Sequence, residues 1–144
     1  MKKMVMLLVM VMAMAGAVSA FAAEGSTPVK VSLIPTVGVP AQEVVHGLDL
    51  GIIGDNVKEV QGLQLSWIYS GTKEKLVGAQ LGFVNIGNNV SGLQYGFYNQ
   101  AENMKGLQFG FINSAVNMSG LQVGLVNLIK NGRLPFMVIV NGNW

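Results

Sequence analysis

Residues Asn103–Asn113 read NMKGLQFGFIN, and most of this pattern returns along the chain. Anchored on its first glycine, it opens at Gly47 (GLDLGIIG), Gly62 (GLQLSWIY), Gly78 (GAQLGFVN), Gly92 (GLQYGFYN), Gly106 (GLQFGFIN) and Gly120 (GLQVGLVN). The steps between these glycines are 15, 16, 14, 14 and 14 residues. One more step of fourteen leads to Leu134, where LPFMVIVN keeps the closing asparagine, Asn141, but has lost the glycines and the glutamine. It reads as the degenerate end unit that repeat arrays carry.

Inside each copy the period is two, so the repeating unit is a strand. One face takes Leu107, Phe109 and Phe111, and over six copies its eighteen positions are all apolar or aromatic. The opposite face takes Gly106, Gln108 and Gly110, and its central column runs Asp49, Gln64, Gln80, Gln94, Gln108 and Gln122. Glycine is a poor strand former, so its recurrence implies that another backbone or a large group comes close on that side. A helix is disfavoured by the same glycines, each costing about 1 kcal/mol there.

Asparagines flank the gaps between copies: Asn85 and Asn89, Asn99 and Asn103, Asn113 and Asn117, Asn127 and Asn131. Asparagine tolerates the left-handed conformation of tight turns, so these residues suit hairpin links such as QAEN. They equally suit a ladder of stacked amides along a solenoid.

The first residues read as an export signal. Lys2 and Lys3 precede an apolar run, and Ala20-Phe21-Ala22 offers small residues at a signal-peptidase site, which predicts a cleaved segment 1–22 and a single domain over 23–144. The chain has no cysteine, which excludes disulfides, thiolate chemistry and a lipidated cysteine. Setting aside Lys2 and Lys3, seven Lys and Arg balance seven Asp and Glu, so no basic patch invites nucleic acid.

The GLQxGxxN copies, the early VSLIPTVGVP and the ending IKNGRLPFMVIVNGNW together resemble a family of uncharacterised bacterial surface-repeat proteins of the cell envelope. The resemblance spans roughly residues 29–144 and implies export and an outer-membrane or cell-surface location, with the periplasm as the alternative. It brings no catalytic residues, and the closing Gly142-Asn143-Trp144 departs from the Phe-rich endings of that family.

The expected fold is all-β, and two architectures fit it. In the first, VKVSLIPTV and the seven copies make a small antiparallel eight-stranded β-barrel of the outer-membrane type, its apolar face toward lipid and its glutamines meeting inside as a belt. Phe136, Val138, Val140 and Trp144 then resemble a terminal strand read by the barrel assembly machinery, and membrane lipid and that machinery are the partners. In the second, each copy is one coil of a parallel β-solenoid with leucines inside and glutamines wet. The even strand count, the turn asparagines and the terminal aromatic favour the barrel; Pro35 and Pro135 favour the solenoid, because proline belongs at sheet edges.

Little points to catalysis. His46 is the only histidine and reads as an exposed strand-start residue. Asp49 has no acidic or histidine partner in its own strand, while Asp55, Glu59, Glu74 and Glu102 fall in turns without the density of oxygen ligands that calcium needs. No catalytic, cofactor-binding or metal-binding residues are expected, and no cofactor. The function expected is a structural or surface-presenting envelope protein, or a soluble or surface-tethered solenoid module for binding or adhesion to an unknown surface partner.

Overall fold

The computed structural model describes Met6 and residues 25–144 except Thr36. The expected signal segment, apart from Met6, therefore lies outside the described residues. Seven strands form one sheet: β1 (Thr27–Ile34), β2 (Val37–Val39), β3 (Val44–Gly51), β4 (Gly54–Ser66), β5 (Tyr69–Leu81), β6 (Val84–Ile129) and β7 (Phe136–Asn143), in the order β2-β1-β3-β4-β5-β6-β7. From β3 to β6 the strands pair in parallel, and the repeats stack in register: Gly47 against Gly62, Gly62 against Gly78, and Gly78 against Gly92. β6 continues the winding through the last copies as one uninterrupted run.

The fold is thus a β-solenoid, and the expected antiparallel barrel is corrected. The physical reason lies in each unit's bends. Gln94, Asn99, Ala101 and Met104 of one coil are buried, while Tyr95, Phe97, Gln100 and Glu102 are exposed, so the two-residue alternation breaks between Phe97 and Asn99. A strand crossing a barrel wall would hold one straight alternation; a coil must turn corners. The 15- and 16-residue steps fit the same scheme. Ile52-Ile53 and Trp67-Ile68 occupy the corner that Phe83 fills alone in the next coil, and a second register shift falls between Thr72 and Lys75. The extra residues sit at bends, and the columns on either side stay aligned.

The solenoid also differs from its expected form in which face is inside. Leucine and aromatic positions point outward, and Gln64, Gln80, Gln94, Gln108 and Gln122 are fully buried. The apolar part of the core comes from other columns: Val45, Val60, Leu76, Val90, Met104 and Met118 form one, and Val57, Ala101, Ala115 and Ile129 belong to another. The core is thin, so a glutamine rooted on one wall reaches the backbone of the other.

Gly106 shows why glycine holds its column. It has φ +128°, and a Cβ there would collide with the carbonyl oxygen of Gly92 in the coil below. Alanine is excluded both by the backbone conformation and by the neighbouring backbone.

The two ends are closed by reversals. At the front, β2 pairs antiparallel with β1, and β1 joins β3 in parallel. At the back, the chain turns over residues 130–135 and β7 runs antiparallel to the last coil, Val123 opposite Val140. The segment starting at Leu134 is therefore not a seventh coil continuing the fourteen-residue phase. Its reversal pairs Val140 with Val123.

Candidate functional site

Two kinds of surface result, a polar interior and an apolar exterior. Inside, the glutamine column is a hydrogen-bonded ladder. Gln80 Nε2 donates to Gln64 Oε1 at 2.9 Å, Gln94 to Gln80 at 2.8 Å, Gln108 to Gln94 at 2.7 Å and Gln122 to Gln108 at 2.7 Å. The other Nε2 hydrogen crosses the core to a main-chain carbonyl: Gln94 to Gln100 at 3.1 Å, Gln108 to Ser114 at 3.1 Å and Gln122 to Leu128 at 3.0 Å. These second contacts fix which end of each amide carries nitrogen. They also give buried carbonyls near the bends a donor.

The asparagines divide between two ladders, and of them only Asn131 also lies in an antiparallel reversal, the turn over residues 130–135 into β7. Asn85, Asn99, Asn113 and Asn127 are buried, each of the first three donating to the next at 2.8–2.9 Å. This ladder donates toward the C-terminal end, opposite to the glutamines. Asn89, Asn103, Asn117 and Asn131 form an exposed ladder at a corner, each donating back to the one before at 2.7–2.9 Å. The inner ladders end on unpartnered acceptors, Gln122 Oε1 at the back and Asn85 Oδ1 toward the front.

At the front the columns change chemistry. Asp49 heads the glutamine column and accepts from Gln64 Nε2 at 2.9 Å, with Lys30 paired beside it on β1. Asp55 and Ser70 occupy the column that asparagines fill later, so Asp55 lies inside strand β4 and not in a turn. Lys30 Nζ stands 4.0 Å from Asp55 Oδ1. Burial pushes the Asp49 carboxyl up to about 9, the hydrogen bond and charge of Asp55 add to the rise, and Lys30 and Gln64 oppose it. Asp49 Oδ1 and Asp55 Oδ2 are both buried without a hydrogen-bond partner. The Asp55 column was legible in the spacing Asp55, Ser70, Asn85; its lone carboxylate in a variable unit concealed it.

Outside, the apolar face carries the larger feature. A groove of about 1240 Å³ runs across the coils, between a row containing Tyr95 and Phe109 and a row containing Phe83, Phe97 and Phe111, and ends against Ile139 of β7. The rings stack along each row: Phe83 on Phe97 with centroids 5.0 Å apart, Phe97 on Phe111 at 4.9 Å, and Tyr95 on Phe109 at 5.5 Å. Parallel in-register strands place like on like at one strand spacing, so the rings stack by construction. Ile139, a β-branched residue at φ +70°, is a strained closure of the groove's end.

The other expected positions are separate from this groove. His46 is exposed, and among the described residues no group of three or more His, Cys, Asp or Glu could hold a metal. Phe136, Val138, Val140 and Trp144 are all exposed on or just beyond β7, the outermost strand of the C-terminal end. Among the described residues no helix is long and apolar enough to cross a membrane. Set against known protein families, curated proteins and solved structures, the chain matches none.

Proposed function

We propose that this chain is an exported, non-catalytic β-solenoid module of the cell envelope that works by binding through its apolar face. The observation that carries the reading is the burial inversion. Glutamine and asparagine occupy the core while Trp67, Phe83, Tyr95, Phe97, Phe109 and Phe111 stand in solvent. Contiguous apolar surface of this extent marks an interaction site in a soluble fold. Export and the envelope address rest on the charged, apolar and small-residue order of the first 22 residues and on the resemblance of the GLQxGxxN copies. The barrel's partners, lipid and assembly machinery, no longer follow, because the geometry that needed them is replaced.

The absence of native cysteine allows a direct test. Phe97→Cys on the apolar face and Glu102→Cys on the polar side are each treated, in cells with only the outer permeability barrier opened, with a maleimide that does not cross the inner membrane. The Glu102→Cys protein is expected to label, and the Phe97→Cys protein to resist until denatured. Equal labelling of the two removes the apolar face as a binding surface. A Glu102→Cys protein that labels only after the inner membrane is broken removes export.

A further inference from the structure

The apolar face consists of three outward columns across six coils, those beginning at Leu48, Leu50 and Ile52, and none of the eighteen side chains is charged. At about 4.8 Å per strand and about 3.3 Å per residue it measures roughly 25 by 17 Å. Its six aromatic side chains are 42–84% exposed. At the 150–250 Å² such a side chain can bury, they offer roughly 650 Å². The aliphatic positions raise this to the ~800 Å² that each partner contributes to a standard protein interface.

We propose that the occupant of this face is a second copy of the same chain, packed sheet on sheet about a two-fold axis. This rests on the reading of the face as a binding surface and names its partner. An isologous contact lays one patch against the same patch, residue i meeting residue j and j meeting i, so an apolar patch without charge is complementary to itself. This face carries no charge, and it is large enough by itself. Flat sheets pack about 10 Å apart with interdigitating side chains, and the groove between the two rows of rings is the recess into which the opposing rows fit. The adjoining column, with Gln61, Ser91, Lys105 and Ser119, supplies the polar rim that surrounds such a core.

Other occupants fit less well. A single linear apolar molecule would fill the groove and leave the column of Leu48, Leu63, Leu93, Leu107 and Leu121 uncovered. An anionic membrane surface favours apolar faces bordered by rows of cations. Here Lys105 is the only lysine or arginine of the adjoining column.

The test is sedimentation of the full chain, without detergent or lipid, across a concentration series. The wild-type protein is expected at twice the chain mass. Phe97→Glu combined with Phe111→Glu is expected to raise the dimer dissociation constant at least ~100-fold, as loss of two central anchors does. Trp67→Glu guards against a folding defect, because Trp67 is 84% exposed and little of its own coil depends on it. It too should weaken the dimer while the β circular dichroism is retained. Gln100→Glu, on the polar side, should leave the mass unchanged. A wild-type chain that stays monomeric overturns the proposal. If that monomer floats with phosphatidylglycerol vesicles, the face docks on lipid instead. A dimer that survives both the double substitution and Trp67→Glu also overturns it and places the contact elsewhere, with the exposed edge strand β7 the next surface to examine. Protection of the Phe97→Cys thiol in cells combined with a monomer in solution would leave the binding face standing and remove only the second copy.

Discussion

The front coils, Gly47–Val77, and the back coils, Gly78–Ile129, stack the same way but are held by different chemistry. The back coils repeat every fourteen residues, and their two buried polar columns are uniform amides, the glutamines each donating to their neighbour and to a carbonyl across the core. The front coils carry extra residues at their bends; there the amide columns hold Asp49, Asp55 and Ser70 beside Lys30, and Ser66 and Thr72 are buried in neighbouring columns. An amide can donate and accept at once and so continues a ladder indefinitely. A carboxyl group lacks the paired N–H donors of an amide, so it ends one. The glutamine ladder points its donors toward the front, and Asp49 receives the first of them. Repetition therefore stabilises the middle of the array, and ionisable groups terminate it.

Breaking the repeated backbone contact should have the largest effect. Gly106→Ala drives a Cβ into the Gly92 carbonyl at a φ of +128°, and should cost more than about 3 kcal/mol or prevent folding. In the front coils, the nearest atoms that a Cβ in Gly71→Ala meets belong to the Tyr69 ring, 2.6 Å from its hydroxyl oxygen, and that side chain can swing away. Urea denaturation midpoints compare the two, and similar midpoints would show that the close coil contact does not limit the back half.

A break in the ladder comes next. Gln108→Leu strips Gln94 Oε1 and the Ser114 carbonyl of their donor and leaves one Gln122 Nε2 hydrogen unpaired, for a loss of about 2–4 kcal/mol. Thr72→Val, which removes a single hydrogen bond to Gln64 Oε1, should cost only about 1 kcal/mol. Equal losses would mean that the amides are not coupled along the column.

The smallest change should have the opposite sign. Asp49→Asn keeps an acceptor for Gln64 and removes a buried acid, and is expected to stabilise the protein by about 1 kcal/mol at neutral pH. The sign follows from proton binding. The folded carboxyl titrates at about 9 and the unfolded one near its usual value of 3.8, so between these the folded state holds a proton that the unfolded state has released. Asp49 thus contributes stability that is fully present below about 4 and lost as pH rises toward 9. Melting temperatures from pH 4 to 9 should decline in the parent chain and flatten in the variant. An unchanged slope would assign the pH dependence to another group.

Part of this architecture was legible in the residues. The alternation in GLQFGF identifies a strand with one apolar and one glycine-glutamine face, and the near-constant spacing identifies stacked or meandering repeats. What the spacing cannot express is direction. A Gln94 beside Gln108 satisfies a hairpin as well as a coil, and asparagine serves a left-handed turn as readily as an amide ladder. The buried role of Asp55 depended on corner insertions, which shift it out of the fourteen-residue phase by one position per coil.

A repeat of short strands, an uncharged apolar face on each and a glycine wherever backbones approach closely all follow from residue type and spacing, which act locally. Parallel pairing, inward glutamines and outward aromatics come from how the coils stack. Sidedness follows from thickness: a core this narrow accommodates amides that reach across it to the opposite carbonyls, whereas the large rings pack only on the outside, stacked on one another from coil to coil.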